Sequence, residues 1–329
     1  MKMLEGIYVL DVTYYLPGPY AAMRLAEMGA HVIKVEPPGG DPAKTMSGGI
    51  VHQANNKGKE FVTVDLKTEE GKASMIELIK KSDVLLESFR PGAMKRLGFD
   101  YDTVKALKPD IVYCSMTGYG QDGPLSVVGS HDINYMALSG VLSQFTDFEG
   151  KPIHPENTIA DYVGAVAVSE GILGALVQKF RTGQGSFVDI AIADALLDFQ
   201  GTHLAYNEKG ISASGIPEID GTYICYGLYP TKDGRHVALG ALEPKFWNNF
   251  CEFAKRPEWK QCGYYATGTP EHSEVSDFIA SLSWNEWLDI SCRTDFCMTP
   301  VMRITDLSEH PYWQSRGINN EKVKVIHSN

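Results

Sequence analysis

The stretch IYVLDVTYYLPGPYAAMRLAEMGAHVIKVE, residues 7–36, decides the fold of this chain. It opens with a short apolar run at 7–12, continues with apolar residues at helical spacing over 19–29 and closes with a second apolar run at 31–36. Gly29 stands where a left-handed glycine ends many helices. Strand, helix and strand in this rhythm predict two parallel strands joined by a helix.

The same alternation continues along the chain. Further strands are predicted over 61–66, over 83–89 and from 111, and further helices over 68–82 and 101–110. The longest helix is predicted over 159–183, and a strand and a helix follow it. This rhythm predicts an α/β fold with a mostly parallel, Rossmann-like sheet and helices on both faces.

The pattern changes after residue 210. A turn-rich segment begins at Ile211, and short strands then precede helices. We therefore predict a large Rossmann-like domain over 1–210, a linker over 211–228, a small α+β domain over 229–300 and a C-terminal return segment over 301–329.

The composition is that of a globular protein. Of 329 residues, 43% are hydrophobic and 22% are charged, which argues against intrinsic disorder. The net charge of −11 leaves no bulk positive field for nucleic acid or an anionic membrane. The sequence has no secretory apolar segment, and its six scattered cysteines form no CxxC pair. These features predict a soluble, cytoplasmic chain with no nucleic-acid or membrane partner.

Known phosphate-binding loops are absent from the sequence. No GxGxxG follows the first strand, where Pro17, Gly18 and Pro19 stand instead, and no GxxxxGK[ST] occurs. Basic residues cluster further on, at Lys57, Lys59, Lys67, Arg90, Lys95 and Arg96. Arg90 follows the carboxyl end of a predicted strand, and guanidinium groups match phosphate oxygens. The cluster is either a phosphate site or a solvated charged face.

Three side chains are candidates for acid–base chemistry. His131 opens an apolar-periodic segment and is either a proton-transfer group or a structural histidine, while Asp132 beside it is expected to cap a helix. Asp161 opens the longest helix, where it is either a cap or a base or nucleophile near helix N–H groups. Glu243 matters only as a partner for a histidine. No metal-binding motif occurs, so no metal is expected.

Several stretches, in order along nearly the whole chain, resemble family III coenzyme A transferases and the related α-methylacyl-CoA racemases. The matching stretches include VIKVEPPGGD (32–41), NNKGKEFVTVDLKTEEGK (55–72), LLESFRPGAMKRLGF (85–99), HDINYMALSG (131–140), IADYVGAVAVSEGILGAL (159–176) and YPTKDGRHVALGALEPKFW (229–247). The resemblance implies a Rossmann-like large domain with a smaller α+β domain, in ring-shaped protomers interlocked as a homodimer. Each active site would lie between one large domain and the partner's small domain.

The resemblance also implies where an acyl-coenzyme A substrate binds. Lys67, Arg90 and Arg96 resemble the family's coenzyme A contacts, and Lys59, Asp132 and Tyr135 complete the predicted substrate-binding set. One position departs from the family: some members have an arginine after the glutamate of the second strand, and this chain has Pro37 there.

The resemblance places Asp161 at the position of the reacting carboxylate and leaves three functions open. The first is racemisation of 2-methylacyl-CoA by two bases, His131 and Asp161, with Glu243 orienting His131 and N–H groups at the start of the Asp161 helix holding the enolate oxygen. The second is coenzyme A transfer between carboxylic acids through an aspartyl thioester at Asp161. The third is acyl-CoA binding without turnover. None of them requires a cofactor, because coenzyme A is part of the substrate.

Overall fold

The computed structural model describes residues 2–147, 149–212 and 215–316. These residues form two compact units, the first ending at Gly201 and the second beginning at Thr202. This division falls before the linker predicted over 211–228. Most of the predicted C-terminal return segment lies outside the described residues.

The first unit is built on a six-stranded sheet whose strands are all parallel. The strands are β1 (Tyr8–Asp11), β2 (His31–Glu36), β3 (Glu60–Thr63), β4 (Val84–Glu87), β5 (Val112–Thr117) and β6 (Ser186–Ala191). Their order is β3-β2-β1-β4-β5-β6, the order of a Rossmann sheet, which reverses between β1 and β4. The predicted parallel α/β sheet is therefore confirmed.

The helices of this unit connect the parallel strands, except the last helix, which follows the last strand. They are α1 (Pro17–Glu27), α2 (Ile50–Asn55), α3 (Glu69–Lys81), α4 (Ala93–Leu97), α5 (Tyr101–Leu107), α6 (Asp132–Leu138), α7 (Ile159–Thr182) and α8 (Ile192–Asp198). Gly29 follows α1 with a φ of 108°, a left-handed conformation that costs glycine little, so α1 ends where the sequence indicated.

Helix α7 is the long core helix of the first unit. Among the described residues it is also the one helix long and apolar enough to cross a membrane, and 44% of its most apolar window is buried. Its buried residues, among them Val168, Ile172 and Leu176, belong to the core cluster that contains β1, β4 and β5 side chains. Core packing therefore accounts for the buried part of its apolar surface, while Val177 and Phe180 of the same helix stay exposed.

The second unit contains a three-stranded antiparallel sheet with helices around an aromatic core. Its elements, after α9 (Gly201–Glu208), are β7 (Tyr226–Pro230), β8 (His236–Gly240), α10 (Pro244–Phe253), α11 (Pro270–Ala280), α12 (Trp284–Ser291), β9 (Met298–Pro300) and α13 (Pro311–Ser315). Trp247, Phe250 and Trp287 are fully or almost fully buried in its core.

Candidate active site

A cavity of ≈ 130 Å³ lies at the carboxyl ends of β1, β2, β3 and β4. Its lining includes Tyr14, Glu36, Pro37, Lys67 and Phe89. Ligands of parallel α/β sheets bind at this edge, near the point where the strand order reverses. Lys67, a predicted coenzyme A contact, is exposed at this cavity, and Pro37 lines it in place of an arginine.

Arg90 and Arg96 are exposed just beyond β4. Neither makes an ion pair with the described part of the chain. A Cβ atom added to Gly129 would lie 2.9 Å from an Nη atom of Arg90, so this guanidinium lies against the loop that leads into His131. Both arginines therefore keep donors available for phosphate oxygens.

Lys59 is not among the residues that line this cavity, and its ammonium group, a predicted coenzyme A contact, is bonded inside the protein instead. Its buried Nζ atom donates to Asp11 Oδ2 at 2.8 Å, to Asn56 Oδ1 at 2.7 Å and to the Pro19 carbonyl at 2.8 Å. These three acceptors use all the hydrogens of an ammonium group. Lys59 is therefore part of an internal ion pair.

The turn between β1 and α1 is not built as the glycine-rich phosphate-binding loop of a dinucleotide-binding fold. Pro17 and Pro19 have no N–H to offer a phosphate at the start of α1. Gly18 packs so closely on the segment that follows β1 that an added Cβ would meet Thr13 Cβ at 2.4 Å. The start of α1 therefore packs tightly against the loop that precedes it and offers few phosphate donors.

Asp161 lies in the first turn of α7 and is half-buried. Burial, and next the negative charge of Asp132, raise the pKa of the Asp161 carboxyl to about 7. Its backbone N–H donates to Asp132 Oδ1 at 2.9 Å. Of the N–H groups at the start of α7, which were predicted to hold an enolate oxygen, the one at Asp161 is therefore already bound to a carboxylate.

His131 is the N-cap residue of α6, and Asp132 is the first residue of that helix. The His131 backbone N–H donates to Asn134 Oδ1 at 3.0 Å, and its carbonyl accepts from the Asn134 N–H at 2.9 Å. The His131 side chain is exposed. Because Asp132 reaches the Asp161 backbone, the starts of α6 and α7 meet, and this places two of the predicted acid–base residues at the same junction.

Asp132 was expected to cap its own helix, and it caps α7 instead. The N-cap residue of α7, Thr158, makes no side-chain capping hydrogen bond. The Asp132 carboxylate supplies the missing acceptor from another helix.

Tyr135 is buried close to the two aspartates. Burial is the main factor that raises its pKa, and the charges of Asp161 and Asp132 add to it. Its hydroxyl accepts a hydrogen bond from Ser130 at 3.0 Å. A Cβ on Gly118 would lie 2.6 Å from the Tyr135 hydroxyl, so only glycine fits against this ring. Tyr135 thus forms an aromatic wall of the junction.

Glu243 lies in the second unit as the exposed N-cap residue of α10. Its backbone carbonyl accepts from the N–H groups of Phe246 and Trp247. The structure therefore places Glu243 in a different unit from His131.

Sequence reasoning missed a polar row across β4, β5 and β6. Glu87, Ser115 and Asp189 are register neighbours on these strands, and Ser115 hydrogen-bonds Glu87. Gln121 donates from its side chain to Ser115 at 2.6 Å and from its backbone to Asp189 at 3.0 Å. Burial raises the pKa of Glu87 to about 7. The sequence signal that could have indicated this row is an acidic residue, Glu87, at the end of an otherwise apolar strand.

No group of three or more His, Cys, Asp or Glu side chains suited to a metal ion occurs in the part of the chain that the structure describes.

Comparisons with known proteins point to one family. A family model described as CoA-transferase family III matches residues 4–324. The chain is 32% identical to an alpha-methylacyl-CoA racemase of Homo sapiens, over 98% of this chain and 84% of that protein. It is 37% identical to an acetyl-CoA:oxalate CoA-transferase of Acetobacter aceti, over 95% of this chain and 84% of that protein. The crystal structure of a hypothetical protein from Mycobacterium tuberculosis matches with a TM-score of 0.84 at 28% identity, over 96% of this chain and 88% of that one.

Proposed function

This chain belongs to CoA-transferase family III and is therefore an enzyme of coenzyme A thioesters, and we propose that it racemises 2-methylacyl-CoA substrates. The observation that carries the proposal is the Asp161 carboxyl, whose pKa is raised to about 7 beside the start of the His131 helix. A group whose pKa lies near the working pH exchanges protons efficiently in both directions.

In the proposed mechanism, an ionised base removes the hydrogen next to the thioester carbonyl. The C–H bond breaks, its electron pair passes into the carbonyl to form an enolate, and the conjugate acid on the opposite face returns a proton to carbon. Asp161 and His131 are the two proton carriers. Each return of a proton to the opposite face inverts the centre, and no cofactor is needed.

The enolate oxygen needs hydrogen-bond donors. Because Asp132 occupies the Asp161 N–H, we assign this role to the start of α6. The backbone N–H groups of Asp132 and Ile133 have no acceptor in the described ranges, and a preorganised donor of this kind contributes about 3–4 kcal/mol.

We place the coenzyme A portion at the cavity edge of the sheet, where Lys67 lies, with Arg90 and Arg96 as phosphate contacts. Their guanidinium groups are exposed, and Arg90 lies against the loop before His131. A ligand that reaches from these side chains to the α6–α7 junction would run along the carboxyl edge of the sheet.

We further propose an interlocked homodimer in which Glu243 from a second copy orients His131. The family resemblance supports this assembly. Large apolar side chains exposed on the first unit, among them Val177, Phe180 and Phe199, provide a surface for a second copy to cover. The cytoplasmic location expected from the sequence stays a prediction.

The test uses one enantiomer of a 2-methylacyl-CoA in heavy water. We expect α-deuterium uptake by mass spectrometry together with inversion by chiral analysis, both abolished in Asp161→Asn. The matched control is Asp102→Asn, an exposed aspartate in the first turn of α5. Absence of both uptake and inversion in the unmodified enzyme would eliminate racemisation.

Coenzyme A transfer is the second candidate, favoured by the 37% identity to an acetyl-CoA:oxalate CoA-transferase. Here the Asp161 carboxylate attacks the thioester carbonyl and the coenzyme A thiolate leaves, which forms a mixed anhydride. The thiolate then attacks the Asp161 carbonyl, releases the carboxylic acid and leaves an aspartyl thioester. Hydroxylamine would trap this intermediate at Asp161.

His131→Ala separates the two reactions. Racemisation requires a second proton carrier, so this variant should lose α-deuterium uptake, whereas coenzyme A transfer to an added carboxylic acid should survive. A chain that binds acyl-CoA and fails both assays would be a binding protein.

A further inference from the structure

Two helices of the first unit begin at one place, and a single side chain joins them. Asp132 Oδ1 accepts the backbone N–H of Asp161 at 2.9 Å, across 29 residues of sequence. Asp132 is the first residue of α6, and Asp161 lies in the first turn of α7. The side chain of one helix start therefore satisfies an N–H group that the other helix leaves open.

The hydrogen bond from the Asp161 N–H to Asp132 acts as a side-chain cap of α7. Thr158, at the N-cap position, contributes no side-chain hydrogen bond. The N–H of Ile159 turns back to Asn157, and that of Tyr162 donates to the Thr158 carbonyl at 3.4 Å. Loss of the Asp132 carboxylate would leave the Asp161 N–H without its acceptor. The first turn of α7 would then be held less firmly in place.

We propose that Asp132 is a positioning residue, whose carboxylate fastens the start of α7 to the start of α6 and thereby holds the Asp161 carboxyl at a set distance from His131. The inference rests on the proposed role of Asp161 as the reacting carboxylate. It departs from the sequence-based expectation, which counted Asp132 among the substrate contacts.

The same contact brings two negative charges together. Burial raises the Asp161 pKa, and the negative charge of Asp132 raises it further. Among the described residues, the other titratable groups that face this region are His131, the N-cap residue of α6, and four tyrosine hydroxyls: Tyr135 on α6, Tyr162 on α7, Tyr20 on α1 through its ring contact with Tyr162, and Tyr119 through its ring contact with Tyr135. Asp194 on α8 acts on Asp189 instead.

Two variants separate the hydrogen bond that Asp132 accepts from the negative charge that it carries. Asp132→Asn keeps an acceptor oxygen for the Asp161 N–H and removes the charge. Asp132→Ala removes both. Asp102→Asn, an exposed aspartate at the start of α5, is the matched control.

We expect Asp132→Ala to lower kcat by roughly tenfold to a hundredfold with a KM change below about threefold, because a misplaced carboxyl slows the reaction more than binding. Asp132→Asn should recover most of that kcat and move the acid limb of the pH–rate profile to lower pH by roughly one unit. A role limited to folding would lower the amount of active enzyme and leave the pH–rate profile in place.

A second readout works without turnover. Carboxyl ¹³C NMR of aspartate-labelled protein, with the Asp161 signal assigned by its loss in Asp161→Asn, reports the Asp161 titration directly. A lower midpoint in Asp132→Asn supports the contact between Asp132 and Asp161 whether or not Asp161→Asn retains activity. Retained activity in Asp161→Asn would overturn the proposed function, and with it the catalytic purpose of the contact. An unchanged midpoint in Asp132→Asn together with an unchanged kcat in Asp132→Ala would overturn the positioning role while Asp161 remains the reacting group.

Discussion

The Nζ atom of Lys59 lies 2.8 Å from the Oδ2 atom of Asp11, and both side chains are fully shielded from solvent. Burial lowers the pKa of Lys59 to about 8, although Asp11 opposes that effect. Burial would raise the pKa of Asp11, but Lys34 and Lys59 outweigh it and hold that pKa at about 2. The pair is therefore charged at neutral pH and joins the end of β1 to the segment before β3.

Lys59→Met should destabilise the fold by roughly 3–5 kcal/mol, because it leaves a buried carboxylate, a carbonyl and an amide oxygen without their donor. Urea unfolding followed by circular dichroism measures the loss. Lys57→Met, at an exposed site two residues earlier, should change the unfolding free energy by less than about 0.5 kcal/mol. If Lys59→Met left the unfolding free energy unchanged and weakened coenzyme A binding, the result would support the coenzyme A contact predicted from the sequence.

Glu87 should make the stability of the protein depend on pH. Its folded-state pKa of about 7 lies above the ordinary value of 4.5 because burial disfavours the charged form. The folded state thus holds this proton more tightly than the unfolded state. The Glu87 contribution is complete below pH 4.5 and is lost as pH rises through 7, by roughly 3 kcal/mol in total.

Glu87→Gln retains a neutral side chain of the same shape, so its stability relative to the unmodified protein should improve between pH 5 and pH 8. Urea unfolding at both pH values measures the difference. Glu70→Gln, on the exposed face of α3, should show no such trend. A Glu87→Gln difference that stays constant from pH 5 to pH 8 would contradict a protonated Glu87.

Gly118→Ala should lower activity by at least about tenfold, because the new methyl would meet the Tyr135 hydroxyl at 2.6 Å and Ser130 Oγ at 2.7 Å. Tyr135 is buried and has little room to retreat. Turnover of the acyl-CoA substrate is the measurement. Gly174→Ala, in α7, meets no atom within 4 Å and should leave activity within about twofold. Equal effects of the two variants would show that the Gly118 contact does not shape the site.

Arg96→Ala should raise KM for the acyl-CoA by roughly tenfold with little change in kcat, because a phosphate contact far from the reacting carbon binds substrate and transition state alike. The effect should shrink at high salt. Lys95→Ala, at the exposed neighbouring position of α4, is the matched control. A fall in kcat at constant KM in Arg96→Ala would contradict a phosphate-binding role.

Much of this fold was predictable from local pattern. The strand predicted over 31–36 coincides with β2, and the long helix predicted over 159–183 appears as α7, which places Asp161 in its first turn as expected. These elements were predictable because backbone periodicity and turn residues act over a few residues. The ordered motifs likewise identified the family, which the family model confirms.

The partners of charged and polar side chains were less predictable. Lys59 looked like one member of a basic surface, yet its partner Asp11 stands 48 residues earlier in the chain. Asp132 looked like a cap for its own helix, yet it caps a helix that begins after a long loop. For Glu87, the sequence showed only that an acidic residue stands in a buried strand, and not which side chains it contacts.

By itself, then, the sequence determined the strands, the helices, the family and the position of Asp161 at a helix start. Only the tertiary structure decided which carboxylates pair with lysines, which remain unpaired and which helix starts meet. The physical reason is that periodicity depends on neighbours in sequence, whereas burial and charge pairing depend on segments that the packed sheet brings together from distant positions.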